Sequence, residues 1–170
     1  MTVYIALLRS VNVGGTGKLP MTVLKGLCQK AGYGSVQTYI ASGNVILESE
    51  EREDKLKATL EDAVERHIGK RISVFVRTAA EMKAVLARNP FPGKEPSKTV
   101  AVFLDTRPRA DVLAKAAGRN KEEIRVGKRE IYIYYPDGIG RSKLRFPAAD
   151  SGTARNINTV ARLVELTSQA

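Results

Sequence analysis

Two glycine-rich segments that each carry a lysine are the parts of this 170-residue chain best suited to chemistry. The first, Gly14–Lys18, lies between an apolar run and a predicted helix, and the second, Asp137–Lys143, follows an aromatic run. Backbone N–H groups in such loops and at helix N-termini can hold phosphate. Both segments therefore predict contact with an anion. The alternative for each is a flexible connector or a helix cap surrounded by solvated charges.

The anion-contacting residues are drawn from both segments and from a final helix predicted to start after Thr153 as N-cap, whose positive end would meet the second loop. In the first segment and just before it they are Arg9, Asn12, Gly14, Gly15 and Lys18. In the second segment they are Ser142 and Lys143, and at the start of the predicted final helix they are Arg155 and Asn156. A P-loop would need glycine in place of Asn12 and Ser or Thr in place of Leu19, so hydrolysis of nucleoside triphosphates is not expected.

Acid–base, nucleophilic and metal chemistry have little support in the sequence. The chain has one histidine, His67, and one cysteine, Cys28, which excludes multi-histidine metal sites, thiolate clusters and an internal disulfide. Both fall on the apolar stripes of predicted helices, so we expect them to point into the core. No catalytic residue, metal or cofactor is assigned.

A formal net charge of +10 favours anionic partners. Between Arg141 and Arg162, five basic residues face a single acidic one, Asp150. Tyr132 and Tyr134 lie on one face of a predicted strand with the spacing of a platform on which bases stack. The alternative is that their rings pack against a helix.

The apolar run Val3–Leu8 is too short to span a membrane and lacks the flanks of a secretory signal, so we expect a cytoplasmic protein.

The hydrophobic pattern predicts an α+β protein with two similar halves. The first half reads β-α-β-β-α-β, starting with a central strand at residues 2–9, and the second begins another such unit at residue 98. A helix is expected from Thr78, with Glu81 completing a capping box, and another from Pro108. The predicted fold is two ferredoxin-like (β-α-β-β-α-β) halves with mixed or antiparallel sheets and helices packed on one face. Their bounds are residues 1–88 and 98–170, joined by a proline-rich linker at 89–97.

Several blocks of residues, in order along the chain, resemble the bacterial family called domain of unknown function 1697. The resemblance runs from Val3 to Leu166, and it implies two ferredoxin-like subdomains and no particular activity. At Ile157 this chain departs from the family pattern, which has tryptophan there, so the resemblance implies no ligand stacked on that side chain. The blocks are Ala6–Gly15, Thr38–Val45, Asn89–Pro92, Ser142–Leu144 and Thr153–Asn156.

Three functions are consistent with these features. The first is non-catalytic binding of a polyanion such as nucleic acid through a basic rim lined by the glycine loops. The second is an enzyme or sensor for a small phosphorylated metabolite or nucleotide. The third is a protein-interaction scaffold that uses a sheet edge or a basic face. The net positive charge of the chain favours the first function slightly over the second.

Overall fold

The computed structural model describes residues 1–11 and 18–168. The chain divides into two compact units, one formed by Met1–Met82 with Leu163–Ala170 and the other by Lys83–Arg162. The predicted proline-rich linker at 89–97 lies within the second unit. Across the described residues there are two four-stranded antiparallel sheets and five α-helices, which makes this an α+β protein.

The first unit follows the predicted order of elements. Its sheet has the strand order β2-β3-β1-β4, and every neighbouring pair is antiparallel. The elements in chain order are β1 (Thr2–Leu8), α1 (Met21–Lys30), β2 (Gly34–Tyr39), β3 (Asn44–Ser49), α2 (Glu53–Ile68) and β4 (Val74–Thr78).

The unbroken apolar run of β1 explains its central place in the sheet. Tyr4, Ala6 and Leu8 belong to the same core cluster as the buried positions of α1 and α2. Ile5 and Leu7 point to the other face and are fully buried as well. A strand buried on both faces needs apolar residues at every position rather than at alternate ones. The prediction of a central strand is confirmed.

Helix α2 ends at a glycine, and its buried face differs from the predicted one at a single residue. Gly69 ends α2 at φ 76°, in the left-handed region that favours glycine. Cys28 is fully buried, as expected. His67, however, is exposed in the last turn of α2 and does not point into the core. The buried stripe of this helix is formed by Leu56, Leu60, Ala63 and Val64.

The second unit has a sheet with the corresponding strand order, β6-β7-β5-β8, again fully antiparallel. The remaining elements of the chain are α3 (Ala79–Ala87), β5 (Thr99–Phe103), β6 (Glu123–Val126), β7 (Glu130–Tyr134), α4 (Pro147–Ser151), β8 (Thr153–Asn156) and α5 (Ile157–Thr167). Of these, α3 begins in the first unit and α5 ends in it. Helix α3 begins after Thr78, where the predicted capping box is present: Thr78 N–H donates to Glu81 Oε1 (2.8 Å) and Glu81 N–H to Thr78 Oγ1 (3.1 Å).

Two predictions for the second half are wrong. The helix expected from Pro108 is only a short 3-10 turn at Val112–Lys115. It stops there because Ala117 pairs its backbone with Arg145 in both directions, at 2.7 and 2.8 Å, which requires extended chain. Thr153 does not cap the final helix. It begins β8, which pairs with β5, and the helix starts four residues later.

No helix among the described residues is long and apolar enough to cross a membrane.

Candidate functional site

Two polar loops of the second unit meet through their backbones. One comprises residues 117–122 and the other residues 135–145, and the paired bonds between Ala117 and Arg145 join them. Gly118 lies against the second loop at φ +71°, and a Cβ there would overlap the carbonyl oxygen of Lys143. Only glycine permits both this backbone conformation and this close approach.

The loops enclose a cavity of about 440 Å³, which we call the basic groove. This volume falls in the range of ligand-binding clefts. The groove is lined by Gly118, Asn120, Glu122, Tyr135, Asp137, Gly138, Arg141, Ser142 and Lys143.

The two loops that form the groove are net positive, although the cavity lining itself holds two cations, Arg141 and Lys143, and two carboxylates, Glu122 and Asp137. The two loops contain five basic residues and two acidic ones, and all five basic side chains are exposed. Among the described residues neither Arg141 nor Lys143 forms an ion pair, although both line the cavity. The five are Arg119, Lys121, Arg141, Lys143 and Arg145. Clustered exposed cations that form no ion pair attract anionic ligands.

Glu122 is the buried acidic residue of the groove, with only 7% of its surface exposed. Its Oε1 accepts a hydrogen bond from the Asn120 N–H (2.7 Å), and its Oε2 accepts one from the Ser142 hydroxyl (3.3 Å). Burial and then the Glu122 carboxylate raise the pKa of Tyr135, while Arg145 opposes them. Tyr135 is half-buried and supplies the aromatic surface of the groove.

The four residues predicted to form one pocket at the second glycine loop and the start of the final helix are only partly brought together. Ser142 and Lys143 line the groove, whereas Arg155 and Asn156 do not. Asn156 caps α5, because its Oδ1 accepts the Thr159 N–H at 2.9 Å. Arg155 is buried on β8, where its guanidinium donates to Thr153 Oγ1 (2.7 Å) and to the Ala154 carbonyl oxygen (2.9 Å). Burial lowers the pKa of Arg155 to about 10, so it still carries its charge at neutral pH.

The residues predicted from the first glycine loop belong to the first unit. Arg9 is half-buried just after β1, and its backbone N–H donates to the Ser73 carbonyl at 3.0 Å. Lys18 is exposed. Asn12, Gly14 and Gly15 lie outside the described residues.

The proposed stacking platform on β7 is wrong for Tyr132. This side chain is 3% exposed, its hydroxyl donates to the Val85 carbonyl (2.7 Å), and burial raises its pKa. Tyr134 is half-buried, with the Phe91 ring centroid 6.1 Å away and the Lys94 ammonium 5.2 Å from its own ring centroid. The two tyrosines share a face, as predicted, but that face is covered by protein.

A second cavity, of about 600 Å³, lies between α1 and α2 of the first unit. Its lining includes Leu27, Ala31 and Ala63 together with the basic Lys30 and Arg66, and the exposed His67 borders it. Within the described part of the chain, no cluster of three or more His, Cys, Asp or Glu side chains could hold a metal ion.

Comparison with known proteins identifies the family. A family model described as "Protein of unknown function (DUF1697)" matches residues 1–132, more than half of the chain. The chain belongs to this family. The match includes the groove loop 117–122 and ends before the loop 135–145. No curated protein matches this DUF1697 chain.

A solved structure has a similar fold to this DUF1697 protein. It is described as "The structure of conserved bacterial protein SP0830 from Streptococcus pneumoniae". The alignment has a TM-score of 0.79 and 22% identity, and it covers 96% of this chain and 97% of the other. At that identity the likeness concerns the fold alone.

Sequence reasoning misses most of the groove in this DUF1697 chain. It does not single out Asn120, Glu122 or Tyr135, because nothing in the sequence signals that Ala117 pairs with Arg145. One usable signal is present: Gly118 precedes the basic, polar run Arg119–Lys121, and a second basic loop follows at Asp137–Lys143. Two basic loops that flank one predicted hairpin are candidates for a shared surface.

Proposed function

We propose that this protein is a non-catalytic nucleic-acid-binding protein. The basic groove contacts the phosphate backbone of the nucleic acid. The observation that carries the proposal is the set of five exposed cations on two hydrogen-bonded loops, with no ion pair for Arg141 or Lys143 among the described residues. Phosphate contacts by Lys and Arg supply most of the affinity of non-specific nucleic-acid binding.

Extended base stacking is not part of the proposed mode. Tyr132 is buried and Tyr134 is flanked by Phe91 and Lys94, which leaves Tyr135 as the aromatic side chain in the groove. Binding is therefore mainly electrostatic and should depend strongly on salt. The logarithm of the binding constant falls linearly with the logarithm of the salt concentration, and we call the gradient of that line the salt slope. For a single strand each phosphate contact contributes about 0.7 to its magnitude. If each of the five cations contacts one phosphate, binding should be roughly 100-fold weaker at 200 mM than at 50 mM salt.

The test is fluorescence anisotropy with labelled RNA and DNA oligonucleotides over a salt series. The double variant R141A/K143A removes the two groove cations that have no ion pair. Losing two contacts should lower the magnitude of the salt slope by about 1.4. The matched control is K25A/K55A, which removes the same charge from exposed positions on the helices α1 and α2 of the first unit. It should leave the slope unchanged.

Absence of binding to every RNA and DNA oligonucleotide at 50 mM salt would refute the proposal. An equal loss of slope in R141A/K143A and in K25A/K55A would show that net charge acts without a site, and that result would also contradict it.

As a second candidate function, the protein acts on or senses a small phosphorylated metabolite or nucleotide, as an enzyme or a sensor. The volume of the groove, about 440 Å³, favours it, because that is the size of a typical small-ligand site. Thermal-shift measurements with nucleotides and sugar phosphates would test it, since a ligand at 100 times its Kd stabilises the folded state by about 2.7 kcal/mol.

We also propose that both halves have ferredoxin-like architecture. The strand orders β2-β3-β1-β4 and β6-β7-β5-β8 support it, as does the β-α-β-β-α-β order of the first half. In the second half a 3-10 turn stands where the first half has α1.

A further inference from the structure

Glu122 is an unexpected residue for the floor of a phosphate-binding groove. Its carboxylate repels phosphate, yet it lies in the same cavity as Arg141 and Lys143. Ser142, whose hydroxyl donates to Glu122, is the residue between those two cations, so the carboxylate and the cations border the same part of the groove. A ligand that fits must bring negative charge and a hydrogen-bond donor close together.

The hydrogen bonds of Glu122 leave it able to accept another donor. A carboxylate offers about four lone-pair sites. In the described residues Glu122 accepts two hydrogen bonds with its side chain, from the Asn120 N–H and the Ser142 hydroxyl, and forms no ion pair. A buried carboxylate gains from each further hydrogen bond that it accepts, because burial has removed water. The two existing bonds join the loops, and the free lone pairs suit a hydroxyl group of a ligand.

We propose that the basic groove takes a ribose phosphate unit, with a ribose hydroxyl donating to Glu122 and the phosphate held by Arg141 and Lys143. This inference rests on the proposed function and deepens it, because it makes RNA the preferred nucleic acid over DNA. The 2′-hydroxyl is the group by which a protein distinguishes the two. Tyr135, half-buried in the same cavity, offers a surface for the attached base.

Ribose phosphate occurs both in RNA chains and in free ribonucleotides, and the experiment separates these sources. One arm measures binding of an RNA oligonucleotide of A and C, the DNA oligonucleotide of the same bases, and the 2′-O-methyl RNA, which cannot donate from that position. The other arm uses AMP and dAMP as competitors and as direct ligands. A hydrogen bond to a charged group contributes about 1.5–3 kcal/mol, so we expect RNA to bind at least about tenfold more tightly than either analogue.

The variant E122Q assigns the discrimination to this carboxylate. The amide keeps an oxygen to accept the Asn120 N–H, but it loses the charge that strengthens the bond to ribose. The ratio of RNA to DNA affinity should fall towards one, while the salt slope stays the same. The control is E123Q, which removes the same charge from β6, outside the groove lining. Its ratio should equal that of the wild type.

Each outcome decides between the two proposals. Equal binding of RNA, DNA and 2′-O-methyl RNA would overturn the ribose inference and leave the nucleic-acid proposal standing. Binding of AMP over dAMP with no oligonucleotide binding would support the ribose site and overturn the nucleic-acid proposal. A preference for RNA that persists in folded E122Q would also overturn the inference. Should E122Q fail to fold, the three wild-type affinities still decide it.

Discussion

The contact between Gly118 and Lys143 makes the groove sensitive to one methyl group. In Gly118→Ala, the new Cβ would overlap the carbonyl oxygen of Lys143 and lie 2.9 Å from its carbonyl carbon. Both are backbone atoms, so the second loop must move away. That movement breaks the two backbone hydrogen bonds between Ala117 and Arg145.

The expected loss of stability follows from two contributions. A residue with a side chain in the left-handed region costs about 1–2 kcal/mol. Two backbone hydrogen bonds at about 0.5–1.5 kcal/mol each add a similar amount. We therefore expect G118A to lower the free energy of unfolding by about 3 kcal/mol, which for a chain of this length lowers Tm by about 6–12 °C. RNA binding should weaken in parallel, because the groove opens.

Two neighbouring glycines provide a graded control. Gly138 has φ +85° but open space where a methyl group would lie, so G138A carries only the conformational cost, about 1–2 kcal/mol. Gly140 has open space and no left-handed φ, so G140A should be neutral or stabilising by up to about 1 kcal/mol. The assay is chemical denaturation followed by far-ultraviolet circular dichroism. Equal stability of G118A and G138A would refute the claim that the two loops are in backbone contact.

Three further predictions concern single residues. Tyr132→Phe should lower the free energy of unfolding by about 1–3 kcal/mol, since the buried Val85 carbonyl loses its donor. It should leave RNA affinity unchanged in an anisotropy assay. Weaker RNA binding by Y132F would contradict the conclusion that Tyr132 is no part of a stacking platform. Asn156→Ala should cost about 1 kcal/mol in denaturation through loss of the α5 cap, whereas N156D should not. Burial raises the pKa of Cys28 to about 12, so its thiol should resist alkylation at pH 8 until the protein unfolds. Because the folded state holds that proton more tightly, this thiol's contribution to stability is complete below the unfolded pKa of about 8.5 and is lost as pH rises towards 12.

The parts of the fold that depend on local pattern were predictable. The unbroken apolar run of β1 indicated a central strand, and Thr78 with Glu81 indicated a capped helix start. Local pattern failed where a distant partner decides the conformation. Residues Thr153–Asn156 resemble a helix N-terminus, yet they pair with β5 as a strand because their backbone groups find partners there.

The candidate site was predictable only in its charge. The basic loop at Asp137–Lys143 was visible in the sequence, but its neighbour at residues 117–122 joins it through tertiary pairing that no spacing rule reveals. Alternation along β7 correctly placed Tyr132 and Tyr134 on one face. It could not say that this face is covered, because the covering element lies elsewhere in the chain. A single strand shows which side chains share a face, and the tertiary fold decides whether that face meets solvent.

Mapping backbone amide chemical shifts during titration with an RNA oligonucleotide tests the central claim most directly. We predict that the largest changes fall on residues 117–122 and 135–145, with those of Ser142 and Lys143 among them, and that they fade as salt is raised. Changes spread evenly over the basic surface, or gathered on the α1–α2 face of the first unit, would contradict a binding site at the basic groove.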